Sequence, residues 1–238
     1  MINDRVVSTD GLRDDGGSPE PLVRRRDRDS AYPTGDDLSR MTPTIRAATE
    51  ADGGALVDIY APVVEDTHVS FETTPPDADE MARRVRGTTP RLPWLVCERG
   101  GEVVGYAYAS PHSDRPAYRW SVDVSVYVDE GWRRRSVARG LYESLFSVLR
   151  LQGLYNAYAV IALPNEASVR LHEALGFERV GLYERVGYRD GEWRDVGHWG
   201  LSLQEPEDPP SPPTPFENLR DTDACWEALR AGESSIDL

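Results

Sequence analysis

No lysine occurs anywhere in the 238 residues: all 27 basic side chains are arginine, set against 41 carboxylates, for a formal charge of −14. A chain so acidic does not wrap nucleic acid or an anionic membrane as its main business, so a local basic cluster implies a local anion. The missing lysine fits either a high-salt cytoplasm, where carboxylates keep a surface soluble, or a coding bias toward arginine. Cysteine is scarce too. Cys97 and Cys225 stand far apart without metal-ligand spacing, so neither a disulfide framework nor a zinc site is signalled. No apolar run reaches the roughly 18 residues of a membrane span, and no signal-type segment is present. The expectation is a soluble cytoplasmic protein with no membrane, nucleic-acid or metal partner.

What is present suffices for one packed domain with tails, since apolar residues make up 39% of the chain. Residues 1–40, with "DDGGSPEP" and "RRRDRDS", hold too little apolar surface to offset ordering entropy and read as a disordered leader. Met41 is a second candidate start. "QEPEDPPSPPTP", from Gln204 to Pro215, is a proline-rich spacer, so the domain is expected to span 41–203, with 204–238 as linker and acidic tail. Within that tail, Asp221 to Arg230 is expected to form a short helix with Trp226 and Leu229 on one side.

Between the tails, "TIRAAT" reads as a strand, and Thr49 with Asp52 as a capping box opening a helix through Tyr60. A second helix follows Asp77. "PWLVCERGGEVVGYAYAS" reads as a hairpin around Arg-Gly-Gly, and the valines at 122, 124, 126 and 128 alternate as in a half-buried strand. Val137, Leu141, Leu145, Val148 and Leu149 then recur at helical spacing. "AYAVIAL" is a buried strand, "NEASVRLHEAL" a helix closed by Gly176, and "YRDGEW" a hairpin turn. This order predicts a mixed α/β fold: a mostly antiparallel sheet with one parallel crossover, flanked by helices.

Arg133, Arg134 and Arg135 fall where the valine strand feeds the helix. A helix start points unpartnered N–H groups and a positive dipole end outward, and therefore suits phosphate. Ser136 and Ala138 are small enough for close approach, and a diphosphate is the expected anion. The strand "SVYV", the pattern R-x-x-S-x-A, and "NEASVRLHEALGF" after the next strand together resemble the GNAT superfamily of acetyl-CoA-dependent acyltransferases. With "VSFETTPPDADEMARRV", "PWLVCERGGEVVGYAYASP", "AYRWSVDVSVYV" and "YRDGEWRDVGHWGL" added, the chain is similar to the phosphinothricin N-acetyltransferase branch over about residues 44–203.

The resemblance implies the GNAT fold, acetyl-CoA as co-substrate, and N-acetylation of the α-amine of a small amino acid or analogue. It places the pantetheine arm along Val126, Tyr127 and Val128. The pyrophosphate falls on the N–H groups from Arg134 to Ala138, Val137 included, with Arg133 at the family's Gln/Arg position. Ser136 stands where the family usually has glycine, which restricts the turn. Asp123 stands where the branch has a glutamate base. One methylene shorter by roughly 1.5 Å, it is expected to act through a bridging water. His172 lies where many members carry a tyrosine that protonates the departing thiolate, and Asn165 either caps its helix or bonds the pantetheine chain.

Phe71, Arg115 and Tyr118 match the branch's acceptor pocket, where an arginine fork suits a carboxylate or phosphinate. Trp193, Asp195 and Val196 are expected to close it. His68, His112 and His198 read as packing or surface residues. Cys97, in a buried-looking strand without a paired base, argues for direct transfer without an acyl-enzyme. A homodimer is implied by the resemblance alone. Two other readings stay open: a protein N-terminal acetyltransferase of the same fold, and a non-catalytic acyl-CoA sensor that keeps the phosphate corner without a working base.

Overall fold

The computed structural model describes residues 42–237, so the expectations for the leader and for Met41 lie outside the described residues. Seven strands form one sheet in the order β1-β2-β3-β4-β5-β7-β6. They are β1 (Thr44–Ala47), β2 (Trp94–Arg99), β3 (Glu102–Pro111), β4 (Ser121–Val128), β5 (Asn156–Ala162), β6 (Glu178–Arg189) and β7 (Glu192–Ser202). Every neighbouring pair is antiparallel except β4 and β5, which lie parallel across the expected crossover. Gly100 and Gly101 turn the β2–β3 hairpin, and Asp190 with Gly191 turns β6–β7, both pairs at the positive φ that such tight turns require.

Alternation sorts β4 onto two layers. Val122 and Val124 point into a core built with helix α3 (Val137–Leu151), whose Leu141, Leu145, Val148 and Leu149 are fully buried. Asp123, Ser125 and Tyr127 therefore face the other side. There α1 (Gly53–Asp66) and α2 (Ala78–Thr88) cover a second cluster around Leu56, Met81, Val85 and Tyr106. The Thr49–Asp52 box forms, with the Thr49 N–H on Asp52 Oδ2 at 2.7 Å, but a 3-10 turn precedes α1, which continues past Pro62 to Asp66 rather than ending at Tyr60. Asp77 caps α2 by accepting from the Glu80 N–H at 2.7 Å.

The C-terminal segment departs from the expected domain end at 203. Phe216, Cys225, Leu229 and Ile236 are buried in the same core as α3. Helix α5 (Asp223–Arg230) is slightly shorter than expected, and it buries Leu229 at 3% exposure while Trp226 stays 54% exposed, so the two do not share a side. Gly232 meets Gly140 of α3 so closely that a Cβ at Gly232 would lie 1.9 Å from the Gly140 carbonyl. The proline-rich stretch is pinned as well: Gln152 Nε2 donates to the carbonyls of Arg91 (2.9 Å) and Thr214 (2.8 Å).

Candidate active site

Strands β4 and β5 pair only from Ser121–Asn156 to Asp123–Tyr158. Beyond that rung β4 still follows β3 to Val128, and β5 still follows β7 to Ala162, so the two separate. The opening leaves one edge of β4 without a strand partner, an edge an extended amide-bearing chain can pair with. It forms a narrow groove of about 80 Å³ lined by Val126 and Tyr127 on β4, by Val160 and Ile161 on β5, and by Asn165, Ser168 and His172 of the following helix, α4 (Glu166–Ala174). Val128 continues the same strand and packs partly on the core.

At the far end of β4 stands the arginine corner. Glu130, Gly131, Arg133, Arg134 and Arg135 surround an open hollow at the start of α3. Ser136 precedes that helix in the left-handed region at φ 58°, and Arg134 shares it at φ 62°. The first bond of the helix runs from the Gly140 N–H to the Ser136 carbonyl, which leaves the N–H groups of Val137 and Ala138 without intrahelical acceptors. The Val137 side chain is itself buried, anchoring the turn. The arginines differ in use: Arg133 lies 3.5 Å from Glu130, whereas Arg135 stacks over Trp132 at 4.9 Å. From the tail, Asp237 donates its N–H to the Arg135 carbonyl and accepts the Ser136 hydroxyl at 2.8 Å. Donors at a helix start with guanidinium groups beside them fit a diphosphate.

Asp123 sits on the last paired rung before the strands part, on the face opposite α3. Its Oδ1 lies 2.8 Å from Nδ1 of His112, with both side chains about one-third exposed (33% and 34%). The imidazole lies over Tyr158 at 4.6 Å between ring centres, with Tyr118 5.9 Å away. His112 was expected as a packing or surface residue, and this contact was missed because the two positions are eleven apart and meet only through the β3–β4 register, in which Ser110 opposes Asp123.

His172 is buried at 4% exposure. Its Nδ1 lies 2.8 Å from the Ser168 carbonyl and its Nε2 3.1 Å from the Tyr142 hydroxyl. A carbonyl only accepts, so Nδ1 carries the proton and Nε2 receives the tyrosine's. Burial pushes the His172 pKa down, although the Ser168 bond opposes it. Both nitrogens are thus engaged, and burial disfavours the charged form of the ring that was expected to donate a proton. Tyr142, fully buried and lining the groove, was also unforeseen. Asn165 does cap α4, its Oδ1 accepting from the Ser168 N–H at 3.1 Å.

The three expected acceptor residues do not come together. Arg115 and Tyr118 line a cavity of about 560 Å³, walled also by Pro212 to Pro215 of the tail. Phe71 instead packs against Gly187 of β6, where a Cβ would meet its ring at 2.1 Å. Tyr118 nevertheless reaches His112, and so the Asp123 end of the groove. Of the residues expected to close the pocket, Trp193 is 61% exposed, Val196 is buried, and the Asp195 carboxylate is taken up by the Arg185 N–H at 2.7 Å. Cys97 is buried, and burial together with Glu233 and Glu98 pushes its thiol up to about 12.

A split parallel pair with a phosphate-type corner at one end defines an acyltransferase-like site, and comparison with known proteins bears this out. Residues 45–198 match the family described as "Acetyltransferase (GNAT) domain". The chain belongs to this family and is an N-acetyltransferase. It is 42% identical over 180 residues to a phosphinothricin N-acetyltransferase of Streptomyces viridochromogenes, covering 76% of this chain and 98% of that one. An L-methionine sulfoximine/L-methionine sulfone acetyltransferase of Pseudomonas aeruginosa is 34% identical, over 68% of this chain and 96% of that one. Among solved structures, a phosphinothricin acetyltransferase of Sinorhizobium meliloti in complex with acetyl-CoA superposes with a TM-score of 0.68 at 33% identity, covering 74% and 99%.

Proposed function

We propose that this enzyme uses acetyl-CoA to acetylate the α-amine of a small amino acid or analogue of the phosphinothricin or methionine sulfoximine type. The observation that carries the reading is the parting of β4 and β5 just beyond Asp123, with the arginine corner at the other end of β4. Pantetheine laid along Val126 to Val128 puts its diphosphate at Arg133–Ala138 and its thioester toward the Asp123 end. Asn165, in this reading, both caps α4 and faces the arm. The amine attacks the thioester carbon directly. Cys97 is no acyl carrier, because a buried thiol titrating near 12 supplies almost no thiolate at neutral pH.

Asp123 and the His112 imidazole it bonds together supply the basic function of the site. His172, with both nitrogens engaged, positions Tyr142 in the groove wall, and the departing sulfur takes its proton from solvent. Arg115 and Tyr118 hold the acidic group of the acceptor in the cavity beside His112. Phe71 contributes by bracing the β6–β7 hairpin. That hairpin exposes Tyr183, Val186, Tyr188 and Trp193, which supports a homodimer joined there.

The test is acetyl-CoA-dependent thiol release by the full chain, with phosphinothricin, methionine sulfoximine, methionine sulfone, free amino acids and peptides as acceptors. Turnover on the amino-acid analogues is expected, with Asp123→Ala lowering kcat by about 10²–10⁴ while acetyl-CoA still binds. Turnover on peptides alone, or acetyl-CoA binding without turnover on any acceptor, would overturn the reading.

A further inference from the structure

We infer that His112 is the group that takes the proton from the acceptor amine, and that Asp123 is its positioning residue rather than the direct base. The inference rests on the acetyl-transfer reading above and names the proton acceptor of that same site.

A carboxylate has no proton to give, so in the 2.8 Å contact it is Nδ1 of His112 that donates to Asp123 Oδ1. This fixes the tautomer: the lone pair lies on Nε2, which has no hydrogen-bond partner among the described residues. Asp123 thereby does to His112 what an orienting carboxylate does to any catalytic imidazole: it sets the ring's direction and stabilises the cation formed on protonation.

The ring is also held sterically. Tyr158, on the β5 strand, is the register partner of Asp123 and lies under the imidazole at 4.6 Å, while Tyr118 approaches from the 116–118 turn. The titratable groups packed around His112 are thus Asp123, Tyr158 and Tyr118, with Asp114 and Arg115 the charged side chains on its own loop. This cluster stands where β4 and β5 begin to part, next to the Tyr118–Arg115 cavity. A shortened carboxylate leaves a gap of roughly one methylene to the amine. The imidazole fills it and extends the basic function outward from β4.

Nε2 removes a proton from the ammonium form of the acceptor, giving neutral amine and imidazolium. The nitrogen lone pair forms the N–C bond, a second proton leaves the nitrogen as the tetrahedral state collapses, and the C–S bond breaks with its electron pair going to sulfur. Sulfur picks up one proton, so one proton per turnover reaches solvent.

The experiment compares wild type, His112→Ala, His112→Gln and Asp123→Asn in the full chain, measuring kcat and KM for both substrates, with added imidazole as a rescue agent. His112→Ala and His112→Gln are expected to lower kcat by at least about 100-fold, with KM values within a few-fold and partial recovery of the alanine variant in imidazole. Asp123→Asn is expected to retain more activity than His112→Ala. Loss in Asp123→Asn far exceeding that in His112→Ala, without imidazole rescue, would assign the base to Asp123 and overturn the inference. Nitrogen-15 NMR of the histidines gives a readout independent of turnover. The proton is expected on Nδ1 of His112 in wild type and redistributed in Asp123→Asn; a proton on Nε2 in wild type overturns the pair. If no acceptor is turned over, the acetyl-transfer reading fails while the NMR result still judges the dyad.

Discussion

Ser136 carries two demands that pull against each other. Its φ of 58° is a conformation that costs a non-glycine residue about 1–2 kcal/mol, yet its hydroxyl donates to Asp237, a bond worth about 0.5–1.5 kcal/mol. The two nearly cancel, so Ser136→Gly is expected to leave the unfolding free energy within about 1 kcal/mol of wild type. Its effect should appear at the cofactor: without the Cβ and the hydroxyl that draws Asp237 in, acetyl-CoA binds several-fold more tightly by calorimetry. Asp237→Asn should also tighten binding, and more so at low salt, because it removes a carboxylate beside a diphosphate. Unchanged affinity in both variants would mean that the anion does not sit at this turn. Positions set by their neighbours in the chain were legible in the sequence: the arginine corner at a helix start, the non-glycine Ser136 in its turn, and the carboxylate at 123 breaking a valine strand. The His112–Asp123 contact was not, because strand register brings the two together, and neither was the engagement of His172 by Tyr142 across two helices.

At the scale of elements, ion pairs tie the helical layer of α1 and α2 and its flanking segments to the sheet edge. Arg46 on β1 bonds Asp52 in the 3-10 turn at 2.8 Å and Glu98 on β2 at 2.9 Å, while Arg84 on α2 holds Glu72 at 2.8 Å. Burial pushes the Asp52 pKa up, but the Arg46 and Thr49 bonds outweigh it and the net shift is downward. For Glu72 the Arg84 bond dominates and again lowers the pKa. Carboxyls lowered in the fold bind fewer protons there than in the unfolded chain. Their contribution is complete above the unfolded values near 4 and is lost as pH falls through the lower folded values. The urea midpoint is therefore expected to fall from about pH 5 downward, and Arg46→Gln should flatten that slope; a slope unchanged in the variant would exclude the Asp52 pair as its source. Helix starts at Asp77 and Asn165 were readable because a cap acts locally, and so were the glycine turns. The extension of α1 past Pro62 was not, since packing of Val64 in the second cluster decides it.

Over the whole molecule, the decisive feature is that the chain beyond Ser202 completes the core. Proline-rich composition made residues 204–215 look like a spacer, because composition reports what a segment can do alone and not what it can lean on. The stretch is held by Gln152, walls the cavity containing Arg115, and delivers Phe216, Cys225, Leu229 and Ile236 to the layer beneath α3. Burying a large apolar side chain is worth about 1.5–3 kcal/mol, so the three largest of these supply roughly 5–9 kcal/mol. That is comparable to the whole stability of an ordinary domain, about 5–15 kcal/mol. A chain ending at Leu203 is accordingly expected to lack a cooperative thermal transition by circular dichroism or to precipitate. Leu229→Ala in the full chain should cost about 2–5 kcal/mol, and a glycine-to-alanine change at 232 should also destabilise, since its Cβ would collide with the Gly140 carbonyl. A shortened chain that melts cooperatively at the full-length temperature would make the tail an appendage. A shortened chain that folds but has lost affinity for the acceptor alone would instead locate the tail's contribution in the cavity wall at Pro212–Pro215.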